Sequence, residues 1–290
     1  MELLTNCSPN RCHWQSLLVF VLVLIRPCMA VVQETGENVE VIKIGVILPF
    51  AGKYYWLMNK SAPAIQYAVE SVENSTDILP GYRFKITYGD SKCSDTDGPL
   101  TAIDMYFNNR AHVFMGPVCD YSVAPIARFS PHWNVPIITA GALVQAFKDK
   151  SQYKQLTRIS GSYVKLGEFL VKVFEKFNWV VPAMIYHDHK GSRGTLGRTD
   201  CYFIMEGIYL ALQQRFMQRY PNGDLWNESF DEGTPDKFNL SSILQEASRN
   251  ARIVVLCASP DSVREIMIKA AELGFDNGEY VFFNIDLFSR

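Results

Sequence analysis

From residue 41 onward, short β-branched apolar runs alternate with segments whose apolar residues recur every three or four positions. This alternation constrains the fold more than any other property of the chain. VIKIGVIL (41–48) is a strand, ended by Pro49. Ser61 to Glu73 sets Ile65, Ala68, Val69 and Val72 on one helical face. A strand at 84–88 leads to a helix at 99–107, with Leu100, Ile103, Asp104 and Phe107 at helical spacing. Strands at 113–115 and 135–138 flank a helix at 120–129. A second cycle follows, with a helix at 162–177 carrying Leu166, Phe169, Leu170, Val173 and Phe177 on one face. Strands at 183–186, 253–256 and 280–283 alternate with helices at 201–219, 239–249 and 260–273. Pro260 opens the last helix, where a missing N–H costs nothing. Such alternation predicts an α/β protein with parallel sheets and helices on both faces. Two blocks, 42–160 and 161–288, predict two lobes. The segments 49–60, 89–98, 116–121, 139–153 and 187–200 leave strand ends, so they are the expected rim of a cleft.

The N-terminus predicts export. Leu17 to Ile25 is a nine-residue apolar run, preceded by Arg11 and followed by Cys28-Met29-Ala30, so residues 1–30 read as a signal peptide. Nothing after Ala30 is apolar for long enough to span a bilayer, and an anchor would lie beyond Arg290. The expected location is extracellular or the cell surface, and secreted if the chain ends at Arg290. Of seven cysteines, four lie beyond the leader: Cys93, Cys119, Cys201 and Cys257. Three pairings are open; sequence order favours Cys93 with Cys119 and Cys201 with Cys257. Sequons at Asn59, Asn74, Asn227 and Asn239 are candidate glycan sites on exposed loops.

Catalytic signatures are missing: there is no G-x-S-x-G, no H-E-x-x-H and no P-loop, so the chain is not expected to be an enzyme. A formal net charge of −2 argues against nucleic acid and suits a cationic ligand. Gly191, Gly194 and Gly197 lack dinucleotide-fingerprint spacing and read as a surface loop. His187 and His189 have no third ligand in view, so no metal is expected. Asp231-Glu232 reads as a solvated loop. Tyr121, Tyr186, Tyr202, Phe203, Tyr209, Trp226 and Phe230 lie at or near strand ends, the kind of aromatic anchors that peptide-binding surfaces use.

Several runs carry a specific resemblance. They are Gly116-Pro117-Val118-Cys119-Asp120-Tyr121 with Ala124-Pro125, Ala127-Arg128-Phe129 and His132-Trp133, then Thr139-Ala140-Gly141-Ala142. Ser162-Tyr163-Val164-Lys165-Leu166-Gly167-Glu168-Phe169, Cys201-Tyr202-Phe203 with Glu206-Gly207, Cys257-Ala258-Ser259 and Tyr280-Val281-Phe282-Phe283 extend it. From about residue 41 to 288 the chain resembles the natriuretic peptide receptor ectodomain. The resemblance implies a two-lobed type I periplasmic-binding-protein clamshell, incomplete at its C-terminus because relatives continue past Arg290. It implies a homodimer gripping a disulfide-ringed cationic peptide hormone, for clearance or signalling. Matched to hormone contacts are Asp95, Tyr121, Arg128, Tyr186, Tyr202, Phe203, Glu206 and Tyr209. Ser91, Val118 and Cys119 match a chloride site, and Phe107 and His132 match the dimer interface. Gly-Pro-Val-Cys and residues 283–288 lean towards the clearance type, whereas Cys-Ser-Asp-Thr (93–96) leans towards the guanylyl-cyclase type. The alternative reading is an ectodomain fragment of a receptor guanylyl cyclase, whose cyclic GMP would be made by domains this sequence does not contain.

Overall fold

The computed structural model describes residues 39–52, 54–189, 198–220, 223–234 and 239–286. The signal-peptide reading, Gly191, Gly194 and Gly197, and residues 287–290 lie outside them.

Among the described residues, nine strands form two sheets, and every strand pair is parallel. The first sheet has the order β2-β1-β3-β4-β5. Its strands are β1 (Glu40–Leu48), β2 (Tyr82–Asp90), β3 (Val113–Met115), β4 (Ile137–Thr139) and β5 (Leu156–Arg158). The second has the order β7-β6-β8-β9, from β6 (Pro182–His187), β7 (Asn227–Phe230), β8 (Ile253–Cys257) and β9 (Val281–Asn284). The helices are α1 (Met58–Glu73), α2 (Asp97–Phe107), α3 (Asp120–Trp133), α4 (Tyr163–Lys176), α5 (Asp200–Arg219), α6 (Leu240–Asn250) and α7 (Pro260–Glu272). Helices cover both faces of a parallel sheet, so its central strands are buried on both sides. The last five residues of β1 and the last four of β8 are buried accordingly. Burial of Ile47, Phe114, Ile126, Ile137 and Leu156 makes one core; Leu170, Phe174, Met205, Ile208 and Val255 belong to a second.

Two short strands were not foreseen. β5 reads LTR and β7 reads NESF. Both lie at sheet edges, where hydropathy carries little signal. The buried helix faces also differ from expectation. On α4 the buried residues are Tyr163, Gly167, Leu170 and Phe174, while Phe169 and Phe177 are 62% and 54% exposed. On α2, Gly98, Pro99, Ala102 and Met105 face inward, and Leu100 and Phe107 face solvent. Periodicity finds a helix, but the position of its neighbour selects which stripe is covered.

That neighbour is visible for α4. A Cβ placed on Gly167 would lie 2.7 Å from the Gly207 carbonyl oxygen, and one on Gly207 would lie 2.8 Å from the Tyr163 carbonyl carbon. Helices α4 and α5 thus cross backbone to backbone, and small inward residues permit it.

Each sheet has one disulfide beside it. Cys93 is bonded to Cys119, and Cys201 to Cys257, with Cα separations of 5.5 and 5.4 Å. Closing loops of 26 and 56 residues restricts the unfolded chain by about 3.5 and about 4 kcal/mol on the chain-entropy account. No helix among the described residues is long and apolar enough to cross a membrane.

Candidate ligand-binding site

Helix α5 starts where the Thr199 hydroxyl accepts the Tyr202 N–H at 3.2 Å, a standard N-cap. The cap fixes the rotation of the helix. Tyr202, Met205, Glu206, Tyr209 and Leu210, spaced three and four apart, then share one face. Opposite them stand Met184 and Tyr186 of β6 and Asn227 of β7. Together these eight residues line a cavity of about 320 Å³.

Four of the expected contact residues, Tyr186, Tyr202, Glu206 and Tyr209, therefore meet in one place. Phe203 flanks it, packing on Tyr202 at 5.4 Å and on Tyr121 at 5.7 Å between ring centroids. The Tyr121 hydroxyl accepts the Arg198 N–H at 2.9 Å, so α3 of the first sheet touches the start of α5. Asp95 and Arg128 do not line the cavity. Asp95 is exposed and accepts the Thr96 hydroxyl, and Arg128 lies 5.1 Å over the Tyr153 ring. Met184, Met205 and Leu210 line the cavity without having been singled out. The i, i+4 relation of Leu210 to Glu206 was a usable signal, whereas nothing in the sequence marked Met184.

The chemistry is amphipathic. Burial, then the Asp224 carboxylate that accepts its hydroxyl, pushes the Tyr209 phenol up to about 12. Burial, then Asp188, raises the Tyr186 phenol as well. Both phenols stay protonated donors. Exposed Glu206 and Asp224 add negative charge, so the cavity suits an apolar side chain beside a cation.

A second cavity of about 520 Å³ opens at the carboxyl ends of the first sheet's strands, where the strand order reverses between β1 and β3. Tyr55, Trp56, Val118, Ala140 and Leu143 line it, together with Ser160 to Tyr163 and Leu166. Segments 49–60, 116–121 and 139–153 contribute to it as expected. Asp120 of α3 lies near its Tyr163 wall, with Oδ1 buried and without a hydrogen-bond partner. Burial, then the charge of Asp200, raises the Asp120 carboxyl to about 7; the Leu143 and Val144 N–H groups and Arg158 oppose this. Burial raises Asp200 too. The charge of Asp200, at the start of α5, therefore reaches Asp120, at the start of α3.

Two buried serine hydroxyls lie at or beside the expected chloride position. Ser91 is fully buried, and its oxygen accepts the Cys93 N–H at 3.2 Å, which leaves its own O–H to donate. The Ser122 hydroxyl, also fully buried, has no hydrogen-bond partner. A Cβ on Gly98 would meet Ser122 Oγ at 1.8 Å and Ser91 Cβ at 3.5 Å, so both serines crowd the same glycine. Lys92 and Cys93 take left-handed φ values of 46° and 56°, held by the Asp90 carboxylate accepting the Lys92 N–H at 2.8 Å. A buried hydroxyl lacking a partner beside a strained turn fits a small anion.

Other expected residues fall elsewhere. Asn59 lies in α1 and Asn227 in β7, not on loops; Asn74 and Asn239 lie at helix ends, and all four are exposed. Phe107 is 77% exposed, and His132 is also exposed. The solvated reading of Asp231-Glu232 is overturned. Asp231 is 6% exposed, and Glu232 Oε1 accepts the Ser259 N–H at 2.7 Å. Ser259 caps α7, so Glu232 is tied to that helix start, and Asp231 accepts the Gly233 N–H of its own loop at 2.9 Å. The rings of His187 and His189 stand 5.0 Å apart, and no group of three or more His, Cys, Asp or Glu among the described residues is arranged to hold a metal ion.

Comparison with known proteins gives a consistent result. The family described as the receptor family ligand binding region matches residues 60–290. Atrial natriuretic peptide receptor 3 of Homo sapiens is 36% identical over 256 residues, covering 86% of this chain and 44% of that protein. The Mus musculus receptor 3 is 35% identical over 262 residues, 88% of this chain and 46% of that one. Atrial natriuretic peptide receptor 2 of Rattus norvegicus is 32% identical over 253 residues, 85% of this chain and 22% of that protein. The chain thus spans less than half the length of these relatives.

Proposed function

This chain belongs to the receptor family ligand binding regions, and from that premise we propose that it is the extracellular hormone-binding region of a natriuretic peptide receptor. Its ligand on this reading is a disulfide-ringed cationic peptide, bound by a homodimer. The observation that carries the reading is the convergence of Tyr186, Tyr202, Glu206 and Tyr209 on one 320 Å³ cavity. Tyr202 and Tyr186 receive an apolar side chain, Glu206 pairs with a basic one, and the protonated Tyr209 phenol lies within the same wall. Asp95, Tyr121 and Arg128, set apart from the cavity, serve a peptide long enough to run beyond it.

Chloride belongs to the same proposal. Ser91 Oγ and the N–H groups of Val118 and Cys119 would hold it, and Ser122 Oγ supplies a further donor. Bound there, the anion stabilises the turn that carries Cys93. Phe107 and Leu100 of α2 and Phe129 and His132 of α3 offer a partly apolar surface to a second copy. The Gly-Pro-Val-Cys run and residues 283–288 favour hormone clearance, and Cys-Ser-Asp-Thr (93–96) keeps the cyclase-coupled alternative in view.

The direct test is equilibrium binding of ringed natriuretic peptides to the oxidised, glycosylated ectodomain, with and without chloride. Saturable binding that weakens without chloride is expected. No binding of any ringed peptide by a cooperatively folded, dimeric sample overturns the reading.

A further inference from the structure

Just past the carboxyl end of β6 stands a carboxylate, Asp188, that does not line the cavity described above. Asp188 is 1% exposed, and its N–H donates to the Phe230 carbonyl at 2.8 Å. A buried carboxylate needs a cation or several donors to offset its desolvation. Here the partner is Arg198, whose Nη1 donates to Asp188 Oδ2, while the Thr199 N–H reaches Oδ1 at 3.4 Å. The same guanidinium lies 4.3 Å over the Tyr202 ring. Tyr202 in turn lines the 320 Å³ cavity and faces Tyr186 at 6.3 Å. The carboxylate is therefore fixed and buried and the aromatic wall is shared with the cavity, yet the Arg198 side chain between them is 41% exposed.

We infer that Asp188 and Tyr202 form a guanidinium-binding site at the edge of the cavity, filled in the free protein by the chain's own Arg198. On the peptide-binding reading proposed above, an arginine of the bound peptide takes this place by exchange. Exchange conserves the chemistry: one guanidinium–carboxylate pair and one cation–π contact are lost, and the same two form. The Arg198 main chain remains held by the Tyr121 hydroxyl, so only the side chain has to leave. A lysine is a poor substitute, because a compact ammonium forfeits both the planar fork and the stacking. The site thus selects arginine, and Arg198 competes with it.

Two arms test this separately. The first needs no peptide. In Arg198→Ala the site is vacated, and low-millimolar methylguanidinium is expected to raise the melting temperature by about 2–4 °C. Methylammonium at the same ionic strength is expected not to, and the Asp188→Asn/Arg198→Ala double variant is expected to lose the response. Equal responses to the two cations, or an undiminished response in the double variant, would overturn the site. Arg198→Gln, closer in shape, carries the same measurement if the alanine variant does not fold. The second arm compares a ringed peptide with its arginine-to-citrulline analogues. Arg198→Ala is expected to bind the arginine form about 3- to 10-fold more tightly than the unsubstituted protein does, with no gain for one of the citrulline forms. A gain shared by every analogue, or none, overturns exchange. Absence of peptide binding by the unsubstituted protein would count against the proposed function while leaving the methylguanidinium result to decide the site.

Discussion

Tyr202 is the residue on which most of the candidate site depends. Its ring borders the cavity, stacks under Arg198 and packs edge-on against Phe203. Aromatic anchors of this kind carry a disproportionate share of binding energy, typically about 2 kcal/mol or more each. Tyr202→Ala is expected to weaken peptide binding by about 30-fold or more in a calorimetric titration, and Glu206→Gln by about 5- to 30-fold. Arg128→Ala is a contrasting case. Arg128 stacks on Tyr153 away from the cavity, so its loss is expected to change affinity by less than about 5-fold. Resemblance grouped these residues together; only their placement separates a cavity wall from an outlying contact.

Among the elements, α5 decides the geometry of the site, and its crossing with α4 decides where α5 lies. The Thr199 cap sets its phase, and Gly207 against Tyr163 sets its depth. Gly207→Ala puts a methyl group 2.8 Å from main-chain atoms that cannot rotate away. The helices must separate, at a cost of about 1–3 kcal/mol. Urea unfolding is expected to show that loss, together with weaker peptide binding, because Tyr202, Glu206 and Tyr209 move with the helix. The alternating pattern made α5 legible as a helix, and the resemblance, not hydropathy, marked Tyr202, Glu206 and Tyr209 on it. Neither could indicate that Gly207 touches another backbone, since a glycine carries no side-chain signal. Edge strands β5 and β7 escaped for a related reason: three or four mostly polar residues acquire strand structure from a neighbour rather than from their own pattern.

At the scale of the molecule, the charge of Asp200 on α5 acts on Asp120 of α3, across the two sets of helices. Asp120 titrates near 7 in the folded protein, against the ordinary aspartate value of 3.8. Between these values the native state holds a proton that the unfolded chain has released. Stability from this group is therefore complete below about pH 4 and is lost as pH rises through about 7. Asp120→Asn is expected to flatten that slope and to stabilise the protein by roughly 1–3 kcal/mol at pH 8. Chemical denaturation at a series of pH values checks both. The alternating pattern by itself determined an α/β fold with parallel sheets, because the two residue periods are local properties of the chain. Cysteine order favoured the pairing that the structure has. Resemblance to one family also marked Tyr186, Tyr202, Glu206 and Tyr209, of which Tyr202 and Glu206 lie in the runs that carry it. Tertiary structure alone decided which helix faces are covered, that Asp188 is buried under Arg198, and that Asp231 is buried while Glu232 is bound by the Ser259 N–H. Burial and pairing are properties of distant neighbours, and a charged residue carries no local sign of whether it will meet water or a partner.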